Sequence, residues 1–87
     1  MGRQFGTKEL TSCLINLGFY LDPNKSNHSH HVKYLAPKHK ILSKEIRPFI
    51  VVQLGQKTYY KQAAQGYLRE IRRFGFTTKD IDQGFKK

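Results

Sequence analysis

The run Phe49-Ile50-Val51-Val52-Gln53-Leu54 is the most apolar stretch of the chain, and its β-branched residues favour an extended backbone. A segment of this kind is expected to be the central or best-buried strand of a sheet, ended where Gly55 turns the chain. Two other segments have the spacing to cover such a sheet. Leu10, Cys13, Leu14 and Leu17 recur at i, i+3, i+4 and i+7, which predicts a first helix from Thr7 to Leu17, with Thr7 as its cap and Gly18 at its end. Tyr60, Ala64, Tyr67, Leu68, Ile71 and Phe74 make a second stripe, which predicts a helix from Thr58 to Phe74 closed by Gly75. Gly66 inside it costs about 1 kcal/mol against Ala, and so marks a place for a kink or a separate first turn.

Between the helices lie two shorter extended runs. Phe19-Tyr20-Leu21 is aromatic and too short for a helix, and Asp22-Pro23-Asn24-Lys25-Ser26-Asn27 after it has the composition of a hairpin connection. From His30 to Ala36 the pattern alternates, and Pro37 ends it. The segment Lys38 to Arg47 mixes basic residues with Ile41, Leu42 and Ile46 without a clear period and is expected to be a loop. Thr77 or Thr78 is suited to cap a short third helix over Asp80 and Ile81, with a capping-box pattern Thr77-x-x-Asp80. The expected fold is therefore α+β: one domain over residues 1–87, an antiparallel three-stranded meander with both main helices on one face. The order α-β-β-β-α is also that of the double-stranded-RNA-binding fold.

In 87 residues there is room for one modest core and no second catalytic domain, so a site has to lie on the surface or in a shallow cleft. Sixteen Lys and Arg against six Asp and Glu leave a formal charge of +10, which calls for a polyanionic partner: nucleic acid, an acidic protein or an anionic membrane surface. No apolar run approaches the length of a membrane span, and the N-terminal MGRQFGTKELTS has no apolar core of a signal peptide, so the chain is expected in the cytoplasm. The lone Cys13 falls on the apolar stripe of the first helix and is expected to be an ordinary core residue.

The alternating strand carries the chemistry. If Val32, Tyr34 and Ala36 face the helices, His31, Lys33 and Leu35 point to the open face of the sheet. Gly18-Phe19 after the first helix, followed by a short strand, a turn and then His31-x-x-Tyr34-x-x-Pro37, resembles the HicA toxins. The strand Phe49 to Leu54 and the closing helix before Gly75-Phe76-Thr77 also match that family's layout, so the resemblance spans nearly the whole chain. It departs in having Ser29-His30 where the family usually has Gly-Gly or Gly-Ser before its histidine. The resemblance implies an mRNA-cleaving toxin that needs neither metal nor cofactor and is held inactive by a HicB-like antitoxin.

The residues themselves fit such chemistry. RNA carries its own nucleophile, the 2′-hydroxyl, so cleavage needs a base for that proton and cationic groups for the phosphate, and an imidazole is matched to the first task near neutral pH. His31 is the expected general base and Lys33 a phosphate or transition-state contact. His28 or His30 is a candidate acid, and His30 is the reserve base because a one-residue register change exchanges the two faces. Lys25, Lys38 and Lys40 are further candidate RNA contacts.

Other readings compete. The histidines have the composition of a solvated polar loop, and His28, His30 and His31 with His39 and Cys13 are the residues a zinc site would use, although no CxxC or HxxxH spacing supports one. Lys61, Arg69, Arg72 and Arg73 make a basic helix face, by default solvated and otherwise open to RNA phosphates or an acidic antitoxin. Tyr59, Tyr60, Tyr67, Phe74 and Phe76 have the spacing of core residues rather than of a stacking surface. A noncatalytic RNA-binding module of double-stranded-RNA-binding type and an adaptor that binds an acidic partner through charge are the alternatives to a ribonuclease.

Overall fold

In the first helix, α1 (Thr7–Asn16), the apolar stripe is buried as its spacing requires: Leu10, Cys13 and Leu14 are inaccessible to solvent. The end of α1 follows from Gly18, whose φ of +100° only glycine adopts without strain. The Gly18 N–H donates to the carbonyl of Ile15 at 3.0 Å and the Phe19 N–H to that of Leu14 at 2.9 Å, which closes the helix in a Schellman motif. Leu14 and Phe19, the two residues this motif brings together, are both buried. The Gly-Phe pair thus ends one element and anchors the next.

The computed structural model describes residues 4–22, 30–37 and 48–86. Over these residues the order is α1, β1 (Tyr20–Leu21), β2 (His31–Leu35), β3 (Phe49–Gln53), α2 (Lys61–Arg73) and α3 (Thr78–Lys86). The expected hairpin connection after Asp22 and the loop from Lys38 to Arg47 fall outside the described residues. The three strands form one antiparallel sheet in the order β1-β2-β3, a meander as the short connections imply. β2 is therefore the central strand and β3 lies at an edge. β3 is nevertheless the best buried on its covered side: Ile50 and Val52 have no exposure, because α1 and α2 both pack on β3.

The helix ends depart from expectation in two places. Thr7 is the first residue of α1, not its cap; Gly6 takes the cap position and its N–H donates to the Glu9 carboxylate at 2.7 Å. Gly6 is also closely packed, since a Cβ there would collide with the backbone carbonyls of Gln56 and Lys57. The second helix starts at Lys61 and continues through Gly66, and Tyr60 before it is extended (φ −58°, ψ 151°). In extended backbone, neighbours alternate, so Tyr59 enters the core at 5 % exposure and Tyr60 leaves it at 87 %. Tyr60 does not belong to the apolar stripe.

α3 is more substantial than its composition suggests. The capping box is formed in both directions, Thr77 N–H to Asp80 at 2.9 Å and Asp80 N–H to the Thr77 hydroxyl at 3.1 Å. The helix then packs along α1, where Gly84 sits against Cys13 and its carbonyl accepts the Asn16 side-chain amide at 2.8 Å. Cys13 is a core residue, its thiol directed at the Ile81 carbonyl 3.7 Å away. A methyl group on Gly84 would lie 2.9 Å from the Cys13 sulfur, closer than side-chain carbons approach. Gly84→Ala is therefore expected to destabilise the protein by about 1–3 kcal/mol. Adding Cys13→Ala should return part of that loss despite the smaller core, so that urea unfolding of the parent, the two single variants and the double variant gives a clear coupling energy.

Candidate functional site

The pairing of β2 with β3 sets His31 opposite Gln53, Lys33 opposite Val51 and Leu35 opposite Phe49, while Val32 meets Val52 and Tyr34 meets Ile50. Tyr34, Ile50 and Val52 are buried and Val32 is partly so, which directs the other set to the face that the described helices leave open. His31 and Lys33 are both exposed, as the alternation requires. β1 adds Tyr20 opposite Leu35. The Asp22 N–H donates to the Lys33 carbonyl at 2.9 Å and extends that ladder by one residue, so Asp22 stands beside Lys33.

The open face is thus a small lattice of rows. Tyr20, Leu35 and Phe49 cross it at one end, Asp22, Lys33 and Val51 lie in the middle, and His31 with Gln53 closes the other end. Adjacent rows are about 7 Å apart, two residues along a strand. The Lys33 ammonium does not lean toward His31. It lies over the Phe49 ring, 4.7 Å from its centre, one row in the opposite direction. His31 and Lys33 therefore share a face, but the structure holds the cation and the imidazole at separate stations along it.

The His31 end of the sheet is fixed from behind. Because β3 is an edge strand, the backbone N–H and C=O of Gln53 point away from β2, and both are satisfied by side chains. The Gln53 N–H donates to the Tyr67 hydroxyl at 3.0 Å. Its carbonyl accepts the hydroxyls of Thr7 at 2.7 Å and Tyr59 at 2.6 Å, which are themselves 2.9 Å apart. α1, the segment before α2 and α2 itself thus converge on the residue opposite His31. Burial pushes the Tyr59 hydroxyl up to about 12 from its ordinary 10.0; the Thr7 hydrogen bond opposes that shift and nearby Tyr67 adds to it.

Of the residues singled out in the sequence, His31 and Lys33 are brought to one face. His30, one residue earlier, is exposed, and its carbonyl accepts the Leu54 N–H at 2.8 Å. The alternation turns its side chain away from the face His31 occupies. His28, His39, Lys25, Lys38 and Lys40 lie outside the described residues. Cys13 is buried between α1 and α3, on the covered side of the sheet, and so is not placed to join His31 in a metal site. Among the described residues no three His, Cys, Asp or Glu side chains are grouped to hold a metal ion. Lys61, Arg69, Arg72 and Arg73 are exposed on α2, and Arg72 contacts the Thr78 hydroxyl at 3.4 Å. No helix among the described residues is long and apolar enough to cross a membrane.

Tyr20, Asp22 and Phe49 are neighbours of Lys33 that no local pattern of the sequence identifies. A period of two runs along Phe49, Val51 and Gln53, but only the register says which of those residues meets which residue of β2. Comparison with family models, with curated proteins and with solved structures yields no match.

The Tyr59 hydroxyl makes the Gln53 clamp sensitive to alkali. Between pH about 10 and about 12 the unfolded chain ionises at this residue while the folded one does not, so the unfolded state binds fewer protons and stability falls as pH rises. Below that window the contribution is complete. Urea midpoints measured from pH about 9 to about 11.5 should decline more steeply for the parent than for Tyr59→Phe, whose curve lacks this contribution. Parallel curves would exclude Tyr59 as the cause.

Proposed function

We propose that this chain is a metal-independent endoribonuclease of the HicA kind, built on a variant of the double-stranded-RNA-binding fold, and that His31 is its general base. The observation that carries the reading is the exposed His31 on the same sheet face as Lys33, while Tyr34, Ile50 and Val52 tie the alternate positions into the core. A formal charge of +10 supplies the attraction for an RNA backbone.

In this reading His31 removes the proton of a ribose 2′-hydroxyl, and the 2′-oxygen attacks the adjacent phosphorus. The bond from phosphorus to the 5′-oxygen breaks, that oxygen takes a proton from solvent at the open face, and a 2′,3′-cyclic phosphate remains on the upstream fragment. Lys33 contacts a substrate phosphate. A HicB-like antitoxin, binding through charge complementary to this basic chain, would hold the toxin inactive in the cytoplasm.

One observation favours binding without cleavage as a second reading. Among the described residues the neighbour of His31 across the strands is Gln53, and no carboxylate or second imidazole shares its row. A noncatalytic RNA-binding module would use the same face.

The two readings separate on cleavage by the parent, and one variant tests the assignment of His31. Purified parent protein incubated with RNA in excess EDTA should yield fragments ending in cyclic phosphate. His31→Ala should keep its circular dichroism and urea midpoint yet lose about 10²- to 10⁴-fold in cleavage rate. Full cleavage by His31→Ala would remove the assignment, and RNA binding by a parent that cuts nothing would establish the binding module.

A further inference from the structure

We propose that Tyr20, Leu35 and Phe49 form a base-stacking platform for unpaired nucleotides of RNA. The proposal rests on RNA as the partner of this face and adds to it the state of the strand that the face accepts. The three residues lie in one row across the three strands, Tyr20 beside Leu35 and Leu35 beside Phe49. With strands about 4.8 Å apart, the row is about 10 Å wide. It is an apolar strip on the side of the sheet that the described helices leave open: Tyr20 is 46 % exposed, Val51 in the next row is 37 % exposed, and Leu35 and Phe49 are partly exposed.

Charge selects the occupant. An apolar strip on a chain of charge +10, with an ammonium group placed over one of its rings, suits a ligand that joins flat apolar surfaces to negative charge, which describes a nucleotide strand. Bases within a duplex have their faces covered by their neighbours, so an aromatic ring on a sheet reaches only bases that are unpaired or splayed out. The Lys33 ammonium lies over the Phe49 ring and would have to leave it for a base to stack there. When a base settles on the ring, that ammonium moves to the phosphate beside it, exchanging a cation–π contact for a stronger ion pair. The platform lies two rows from His31, so nucleotides stacked there would neighbour the one whose ribose meets the imidazole.

The test uses fluorescence anisotropy with a labelled single-stranded RNA and a duplex of the same sequence, in a His31→Ala background so that neither probe is cut. Tyr20→Ala and Phe49→Ala should each weaken binding of the single strand by about 5- to 150-fold, with duplex binding nearly unchanged. Phe49→Leu, which keeps the apolar bulk, should bind as weakly as Phe49→Ala, and Phe49→Tyr should restore affinity. Lys33→Ala should lower the salt dependence of single-strand binding by the equivalent of one phosphate contact, a slope change of about 0.7. Unchanged single-strand affinity in the Tyr20 and Phe49 variants, or equal losses for single strand and duplex, overturns the platform. So does a parent dimer that Phe49→Ala dissolves, which would put a second copy on this face. A parent that cleaves RNA while these variants bind normally sinks the platform and leaves the ribonuclease standing; selective loss of binding with no cleavage by the parent does the reverse.

Discussion

The pairing of β2 with β3 organises the rest of this molecule, because side chains on a strand alternate and a shift of one residue exchanges its faces. Tyr34, Ile50 and Val52 set that pairing: they lie on one side of the sheet and are buried, Ile50 and Val52 on the strand against which α1 and α2 pack. Moving β2 by one residue would bring Lys33 into the core and leave an unpaired ammonium among apolar side chains, a far larger penalty than any contact on the open face could offset. The exposure of His31 and Lys33 is thus a consequence of what their neighbours bury.

The helices do more than cover the sheet. Thr7 on α1, Tyr59 before α2 and Tyr67 on α2 supply the hydrogen bonds that an edge strand lacks at Gln53. Aromatic contacts tie the same elements together: Phe5 meets Tyr59 edge-on at 5.7 Å, Tyr59 meets Tyr67 at 4.9 Å, and Phe19 meets Phe74 edge-on at 5.5 Å. α3 locks α1 from the far side through the close approach of Gly84 to Cys13. The row carrying His31 is thereby held by polar contacts at its edge, while the row carrying Tyr20 and Phe49 lies on the side that the described helices do not cover, with Tyr20 46 % exposed and Phe49 half-buried.

Much of this was legible in the residues. The stripe Leu10, Cys13, Leu14, Leu17 requires α1, Gly18 and Gly75 end helices where a positive φ is needed, and the alternation from His30 to Ala36 separates the two faces of β2. What escaped depended on partners distant in sequence. Thr7 has the composition of a helix cap, yet its hydroxyl is taken by Gln53, 46 residues away. Tyr60 fits a helical stripe by spacing, but Tyr59 is held by the Phe5 carbonyl in an extended segment, and the helix starts one residue after Tyr60. The β-branched run from Phe49 has the composition of a central strand, although the order of pairing puts it at the edge.

By itself the sequence determined the element types, the two faces of β2 and the strong positive charge, because periodicity, turn residues and formal charge are local properties. Only the tertiary structure decided which side chains share a row: Tyr20 with Leu35 and Phe49, Asp22 with Lys33, Gln53 with His31. Those neighbours come from strand register and from the direction a flexible side chain takes once folded, as when the Lys33 ammonium settles over Phe49 instead of beside His31. Register is a property of the packed core as a whole, and no local segment of the chain contains it.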